Sequence, residues 1–181
     1  MSNTDISHTI SKPADIDELV TLCQGVIGQE CWWAHTMFSH VLALDFGAKV
    51  FTKSPARLGP RQIGEWILVI HTPEWEIRDQ IGQVYCSPEN DEVALKALVR
   101  VLEHTHISKL DIALPSIAVT ALFDNGYQLI VSTCQGFDMY EDGAASEYMP
   151  CWELFMPNYL IVDVKQGARR WTYGRSDVPM Q

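Results

Sequence analysis

The chain has 181 residues, 47% of them hydrophobic and 20% charged, which is typical of a folded globular protein. Its formal net charge is −10, and this argues against non-specific binding to nucleic acid, because phosphate contacts need an electropositive surface. No apolar run approaches the roughly 20 residues that span a membrane, and residues 1–5 lack the character of a signal peptide, so we expect a cytoplasmic protein without membrane contact.

The first half of the chain is predicted to hold one helix followed by strands. Apolar residues recur at helical spacing over residues 13–28, with a capping-box start and a glycine as stop signal. Residues 41–46 and 49–52 predict a hairpin that turns at Gly47. The wholly apolar stretch 66–70 predicts a central strand.

The second half shows the same order. Ser87 is a good N-cap residue, and the apolar stripe that follows it predicts a helix that covers a sheet. Alternating residues 117–123 then lead into Asn125-Gly126, whose tolerance of positive φ predicts a tight hairpin. The strand pattern resumes at Trp152.

Both halves therefore give an apolar strand, a glycine turn, a second strand, a polar loop, a Trp-x-Leu strand and a final strand. A duplicated unit of a helix plus an antiparallel β-meander explains this order, so we predict an α+β fold with helices packed on the sheet. The predicted organisation is one globular domain made of a flexible N-terminal arm, two αβ repeats and a tail, at residues 1–12, 13–86, 87–175 and 176–181.

Two corresponding loops differ in charge. Residues 48–64 carry bases and no acid, namely Lys49, Lys53, Arg57 and Arg61. Residues 133–147 carry acids and no base, namely Asp138, Glu141, Asp142 and Glu147. Three interpretations stay open: two solvated loops that have diverged, loops that attract each other within the chain or across a homodimer, and an acidic binding edge for a basic protein.

The acidic loop also holds aromatic residues, which are frequent anchors in protein interfaces. We predict that Phe137 and Tyr140 anchor a protein partner while Asp138, Glu141 and Asp142 steer it. A basic partner fits both this loop and the net charge of −10.

Histidines are the main candidates for chemistry. His104 and His106 lie close enough in sequence to share a metal, but their place at a predicted helix end explains them better, and we expect helix-end histidines. His35, His40 and His71 are expected to be satisfied polar groups on or beside strands. The chain has no nucleophile elbow, Gly-rich phosphate loop or His-Glu-x-x-His pattern, so we expect no catalytic residue, metal or cofactor.

Three further groups of residues have simple structural interpretations. The five cysteines form no Cys-x-x-Cys pair, and we expect buried or half-buried free thiols: Cys23, Cys31, Cys86, Cys134 and Cys151. Glu65 and Glu153 each lie beside a repeated tryptophan and are expected on exposed strand positions. Residues 165–175 mix bases with Trp171 and Tyr173, a pattern that fits either single-stranded nucleic acid or a charged edge strand; we expect the edge strand and no nucleic acid.

The strand-Gly-strand-Trp-x-Leu pattern resembles small uncharacterised bacterial proteins, some of them similar to immunity proteins encoded beside contact-dependent or polymorphic toxins. The residues that carry the resemblance are Leu44, Phe46, Gly47, Trp66 and Leu68 in the first half, and Leu122, Gly126, Trp152 and Leu154 in the second. The resemblance implies a non-enzymatic binding role and supplies no catalytic residues.

The sequence therefore predicts a non-enzymatic protein–protein interaction module with an immunity-like role, which uses the acidic-aromatic loop and forms a homodimer in one version of the hypothesis. The alternative is an enzyme, or a small-molecule or metal-binding protein, with a pocket between the two repeats. That pocket would use His71, His104 or His106.

Overall fold

The computed structural model describes residues 6–10, 13–37, 40–52, 61–114, 116–132, 150–165 and 170–175. Within these residues the chain forms twelve β-strands and two seven-residue α-helices. The helices are α1 (Asp17–Cys23) and α2 (Glu92–Leu98). The strands are β1 (Ile6–Thr9), β2 (Glu30–Met37), β3 (Val41–Thr52), β4 (Arg61–Ile70), β5 (Trp75–Arg78), β6 (Val84–Cys86), β7 (Thr105–Ala113), β8 (Ala118–Phe123), β9 (Gln128–Val131), β10 (Trp152–Met156), β11 (Leu160–Lys165) and β12 (Arg170–Arg175).

The described strands form an antiparallel sheet in the order β1-β12-β11-β10-β4-β3-β2-β7-β8-β9-β5-β6. Its middle is the pair β2–β7, which has only two rungs, Glu30 opposite His106 and Cys31 opposite Thr105. A three-stranded meander lies on each side of this pair, β2-β3-β4 on one side and β7-β8-β9 on the other. The two rungs therefore join two larger halves of one sheet.

Each meander is extended by strands that belong to the other half of the chain. β5 follows β4 in sequence but pairs with β9, with Trp75 opposite Val131. β10 follows β9 in sequence but pairs with β4, with Trp152 opposite Ile70. The two connections therefore cross between the halves, and neither half of the chain builds its part of the sheet alone.

The prediction of an α+β fold, with duplicated helix-plus-meander units and helices packed on the sheet, is wrong. The described chain is mostly antiparallel sheet, and each α-helix makes about two turns before it passes into a 3₁₀ segment, Gln24–Val26 after α1 and Val99–Leu102 after α2. The predicted units also fail as self-contained meanders, because β5 and β10 change sides. Strand exchange of this kind depends on long-range pairing, which local hydrophobic periodicity does not encode.

The predicted hairpin around Gly47 is also wrong. Residues 41–52 form the single strand β3, and Gly47, with φ of +73°, lies in a bulge between Phe46 and Lys49 where the register against β4 shifts. Positive φ suits both a hairpin turn and a bulge, so glycine alone does not distinguish them. The Asn125-Gly126 hairpin is confirmed, since β8 pairs with β9 and Gly126 has φ of +86°.

Part of the predicted N-terminal arm belongs to the sheet. Ile6–Thr9, part of the predicted arm, forms β1 and pairs with β12.

In α2 the N-cap is Asp91, whose side chain accepts hydrogen bonds from the backbone N–H groups of Val93 and Ala94. The predicted N-cap Ser87 lies one turn earlier, in a turn where its N–H donates to the side chain of Asn90.

The main hydrophobic core is formed by side chains from both sheet halves and both helices. It includes Leu44 and Ile70 on one half, Ile107 and Leu129 on the other, and Leu19 of α1, each fully or almost fully buried. A second, smaller cluster lies on the opposite face of β3 and β4 and consists of Val41, Ala43, Ile67 and Val69. Because both faces of β3 and β4 are covered, these strands read as continuous apolar runs.

A close approach between β3 and β4 fixes the register on either side of the bulge. The buried Asp45 carboxylate accepts a hydrogen bond from the Gly64 N–H at 2.6 Å. A Cβ on Gly64 would lie 2.6 Å from Phe46 N and 2.6 Å from Trp66 O, both backbone atoms that cannot move aside cheaply. Position 64 therefore requires glycine for space rather than for φ.

We predict that Gly64→Ala lowers the free energy of unfolding by about 2–3 kcal/mol, because overpacking forces the β3 and β4 backbones apart. Chemical denaturation monitored by circular dichroism measures this. The matched control is Gly28→Ala: a Cβ at Gly28 has nothing within 4 Å, and its φ of +78° costs about 1–2 kcal/mol. Equal losses for the two variants would contradict the close approach.

Candidate functional site

The predicted partner-binding residues Phe137, Asp138, Tyr140, Glu141 and Asp142 lie outside the described residues. Their role as a binding edge therefore stays a prediction.

A second acidic surface lies within the described chain, at the β6 end of the sheet. Four apolar side chains are exposed there: Ile81 at 77%, Val84 at 54%, Tyr85 at 37% and Val93 at 78% of their surface. They come from the β5–β6 turn, from β6 and from the first turn of α2. We call residues 79–95 the acidic end, for the charges described below.

Local turns hold this surface together. The Asp79 side chain accepts hydrogen bonds from the backbone N–H groups of Ile81 and Gln83, at 3.0 and 2.9 Å, and so fixes the β5–β6 turn. The N–H of Asn90 donates to the Ser87 carbonyl at 3.0 Å and folds the chain back between β6 and α2. The exposed apolar residues of β6 and α2 are thereby brought to one end of the sheet.

The acidic end carries four acids and no Lys or Arg over residues 79–95: Asp79, Glu89, Asp91 and Glu92. Glu92 is paired with Lys96 at 2.7 Å, one turn along α2. Asp79 and Asp91 bond backbone N–H groups, which carry no formal charge, so their negative charge is retained. Exposed apolar side chains and negatively charged side chains therefore occur together at this end of the sheet.

The strand β6 pairs only with β5 among the described strands, so its other edge is open there. It is three residues long, and a short edge strand offers little backbone for pairing with another chain. Recognition at this end therefore depends on side chains more than on strand addition.

His104 and His106, at the start of β7, each contact a different carboxylate. His104 Nδ1 lies 3.0 Å from Glu30 Oε1, and His106 Nδ1 lies 2.8 Å from Asp124 Oδ2. The N–H of His106 donates to Asp124, and this hydrogen bond is the main cause that lowers the pKa of that carboxyl. In the part of the chain that the structure describes, no group of three His, Cys, Asp or Glu side chains is placed to hold a metal ion.

A half-buried charged cluster at the end of β4 and on β10 and β11 was not anticipated from the sequence. His71 Nε2 lies 2.7 Å from Glu153 Oε2, and Glu153 faces Asp163 across the β10–β11 ladder. Glu65, the other glutamate expected at an exposed strand position, lies elsewhere along β4, because the residue opposite Glu153 is Val69; both glutamates are half-buried. The cluster depends on the exchange of β10, which brings the two halves of the chain together.

Burial raises the pKa of Asp163, the Lys165 ammonium at 3.6 Å opposes this, and the like charge of Glu153 adds to it. One carboxylate oxygen of Asp163, Oδ1, is buried without a hydrogen-bond partner. The cluster therefore keeps a carboxylate in a place that disfavours its charge.

The thiols divide into two kinds. Cys23, Cys31 and Cys86 are free and buried, and burial raises their pKa values, to about 12 for Cys23 and Cys86. Thiolate chemistry at neutral pH is therefore disfavoured at all three. Cys151 is disulfide-bonded, so the expectation of a free thiol is wrong there; Cys134 lies outside the described residues.

The basic segment near the C-terminus is interior to the sheet. β12 lies between β11 and β1, so the prediction of an edge strand is wrong. Trp171 is fully buried, stacks on His8 with ring centroids 4.0 Å apart, and donates from Nε1 to the Asp15 carbonyl at 3.2 Å. Its indole is therefore occupied by packing inside the protein.

We predict that Asp163→Asn raises the free energy of unfolding by about 1 kcal/mol at pH 7, because a raised folded pKa means that folding disfavours the carboxylate. The stability of the wild-type protein therefore falls as pH rises from the pKa of Asp163 in the unfolded chain through its higher pKa in the folded protein. The gain should therefore shrink when denaturation is measured near about pH 3. Asp111→Asn, at an exposed carboxylate beside Lys109, is the control; a lower stability of Asp163→Asn at pH 7 would contradict this reading of the cluster.

Comparison with known proteins leaves function to be derived from these side chains. No protein-family model matches the chain, and no curated protein or solved structure matches it. Among the described helices, none has the length and apolar character needed to cross a membrane.

Proposed function

We propose that the protein is a non-enzymatic protein–protein interaction module that docks a basic partner at the acidic end. The observation that carries the proposal is the coincidence of four exposed apolar side chains with four acids and no base over residues 79–95. Single exposed apolar residues are ordinary, whereas several of them at one end of a sheet, beside acids, are a feature of interaction sites.

The two components of this surface have different roles. Full burial of an aliphatic side chain stabilises a complex by about 1.5–3 kcal/mol before the costs of association. Ile81 and Val93, both exposed over more than three quarters of their surface, have the most area to bury. The carboxylates add attraction at long range, which raises the association rate and selects a partner of positive charge.

The partner is inferred to present apolar side chains surrounded by Lys or Arg. A basic toxin domain has this chemistry, and the resemblance to immunity proteins supports such a partner. The loop at residues 133–147 would add a second acidic, aromatic contact of the same kind. Both surfaces therefore favour a basic partner over an acidic one.

We predict that Ile81→Lys combined with Val93→Lys weakens binding of a basic peptide with Leu and Trp anchors by about tenfold or more. The change removes the two most exposed anchors and reverses the local charge. Both positions are exposed, and Lys is a better helix former than Val, so the variant should fold. Fluorescence polarisation at low and high salt measures the affinity of the labelled peptide, of its Lys-to-Glu version and of its anchor-free version.

The control variant is Phe51→Lys, which replaces an apolar residue 68% exposed on β3 and leaves the acidic end intact. Its affinity for the peptide should match that of the parent apart from a small effect of net charge. The proposal fails if the acidic peptide binds as well as the basic one, or if Phe51→Lys and the double variant lose affinity equally.

A further inference from the structure

A bulge in β2 places two indoles side by side. Cys31 is opposite Phe46 and Trp33 is opposite Asp45, so Trp32 is an extra residue without a rung. Neighbouring residues of a regular strand point to opposite faces, but here the rings of Trp32 and Trp33 stack with centroids 6.2 Å apart and an interplanar angle of 16°. His35 continues the stack, 3.8 Å from Trp33.

A second bulge brings a cation to the same place. The register of β3 against β4 shifts between Phe46 and Lys49, where Gly47 has φ of +73°. Beyond this bulge, Lys49 Nζ lies 4.5 Å from the centroid of the Trp32 ring. Bulges often lie next to functional sites because they re-aim side chains. Two of them converge here on one aromatic and basic surface.

This surface is one wall of a shallow cleft of about 400 Å³, wide open to solvent, at the junction of the two sheet halves. The lining residues are Trp32, Trp33, Gln62, Arg100, Glu103 and His104. His104 has φ of +62°, unusual for a residue with a side chain, and its N–H donates to the Cys31 carbonyl at 2.6 Å. Strained backbone of this kind is concentrated at binding and active sites.

The carboxylates nearest to the cleft are already bonded, and one of them is Glu30, whose Oε1 lies 3.0 Å from His104 Nδ1. The Glu103 side chain is only 10% exposed, and its two oxygens accept hydrogen bonds from the Ala34 N–H and from Arg100 Nε. Arg100 itself is 65% exposed and uses only Nε in that bond, so its terminal nitrogens remain available. The Trp32 Nε1 is a buried donor without a partner. The cleft therefore offers the terminal nitrogens of Arg100 as exposed donors, in a protein whose net charge is −10.

We propose that this cleft binds a planar anion, an aromatic or heteroaromatic ring that carries a carboxylate or a phosphate. The ring would contact the parts of the two half-buried indoles that line the cleft, edge to face rather than stacked on them. The anionic group would bond Arg100, whose planar guanidinium suits both a carboxylate and a phosphate. A cationic ligand is disfavoured because Lys49 already lies over Trp32 and Arg100 is nearby. The cleft shares no lining residue with the acidic end at residues 79–95.

Isothermal titration calorimetry with matched probes tests the class of ligand. The probes are 2-naphthoate, 1-naphthyl phosphate, the neutral 2-naphthamide and the non-planar cyclohexanecarboxylate. The aromatic anions should bind at least about tenfold more tightly than the amide and the cyclohexane acid. The stronger of the carboxylate and the phosphate identifies the anionic group. Equal binding of the anions and the amide, or no binding of any probe, would overturn the proposal.

We predict that Arg100→Gln weakens binding of the aromatic anions by about tenfold and leaves the weak binding of the amide unchanged. The Gln amide can still donate to Glu103, which keeps that carboxylate bonded. Trp33→Leu should weaken the anions and the amide together, because it removes ring contact rather than charge.

The control variant is Lys109→Gln, which removes one positive charge from β7 at a side chain 65% exposed and outside the cleft lining. It should leave all affinities unchanged. Thermal unfolding of each variant establishes that it is folded before titration. If Arg100→Gln and Lys109→Gln behave alike, the anion is not bound at Arg100 and the proposal is wrong.

Discussion

The carbonyl oxygen of Cys151 accepts hydrogen bonds from the backbone N–H groups of His71 and Thr72, at 2.9 and 3.4 Å. At this point the connection that leaves β4 passes the connection that enters β10. A second contact, from the Ser132 N–H to the Glu74 carbonyl at 2.8 Å, joins the other ends of the same two connections. These bonds hold the exchange by which each half of the chain supplies strands to the other half of the sheet.

The positions of the candidate sites follow from that exchange. The charged cluster exists because β10 brings Glu153 beside His71, the residue that follows β4. The acidic end exists because β5 and β6 extend the far side of the β7-β8-β9 meander, next to α2. The cleft lies where β2 meets β7, and its lining combines Trp32 and Trp33 with Arg100 of the other half. An acidic end and a cleft with an exposed arginine thus coexist, although the net charge alone indicates only acid.

The elements that depend on local chemistry were largely predictable from the sequence. The β8–β9 hairpin follows from Asn125-Gly126, and α2 follows from its apolar stripe, although Asp91 rather than Ser87 caps it. Gly47 shows the limit of such reasoning, since its positive φ serves a bulge instead of the expected turn. Strand partners were not predictable. The sequence pattern matches Trp66 with Trp152. The sheet instead places Trp75 and Trp152 in corresponding positions, at the starts of the two exchanged strands. The indole pair was missed for a similar reason, because a bulge is visible only in the register between two strands.

The exchange of strands between the two halves also affects how the chain folds during synthesis. β4 is almost wholly apolar over Trp66–Ile70, and one of its edges pairs with β10, roughly 80 residues further along. At a synthesis rate of ~5–20 residues per second, that edge lacks its native neighbour for roughly 4–16 s. During this interval the nascent chain exposes a hydrophobic strand that can pair with other chains. Ribosome-associated chaperones that shield the first half until β10 emerges would consequently have a large influence on the yield of native protein.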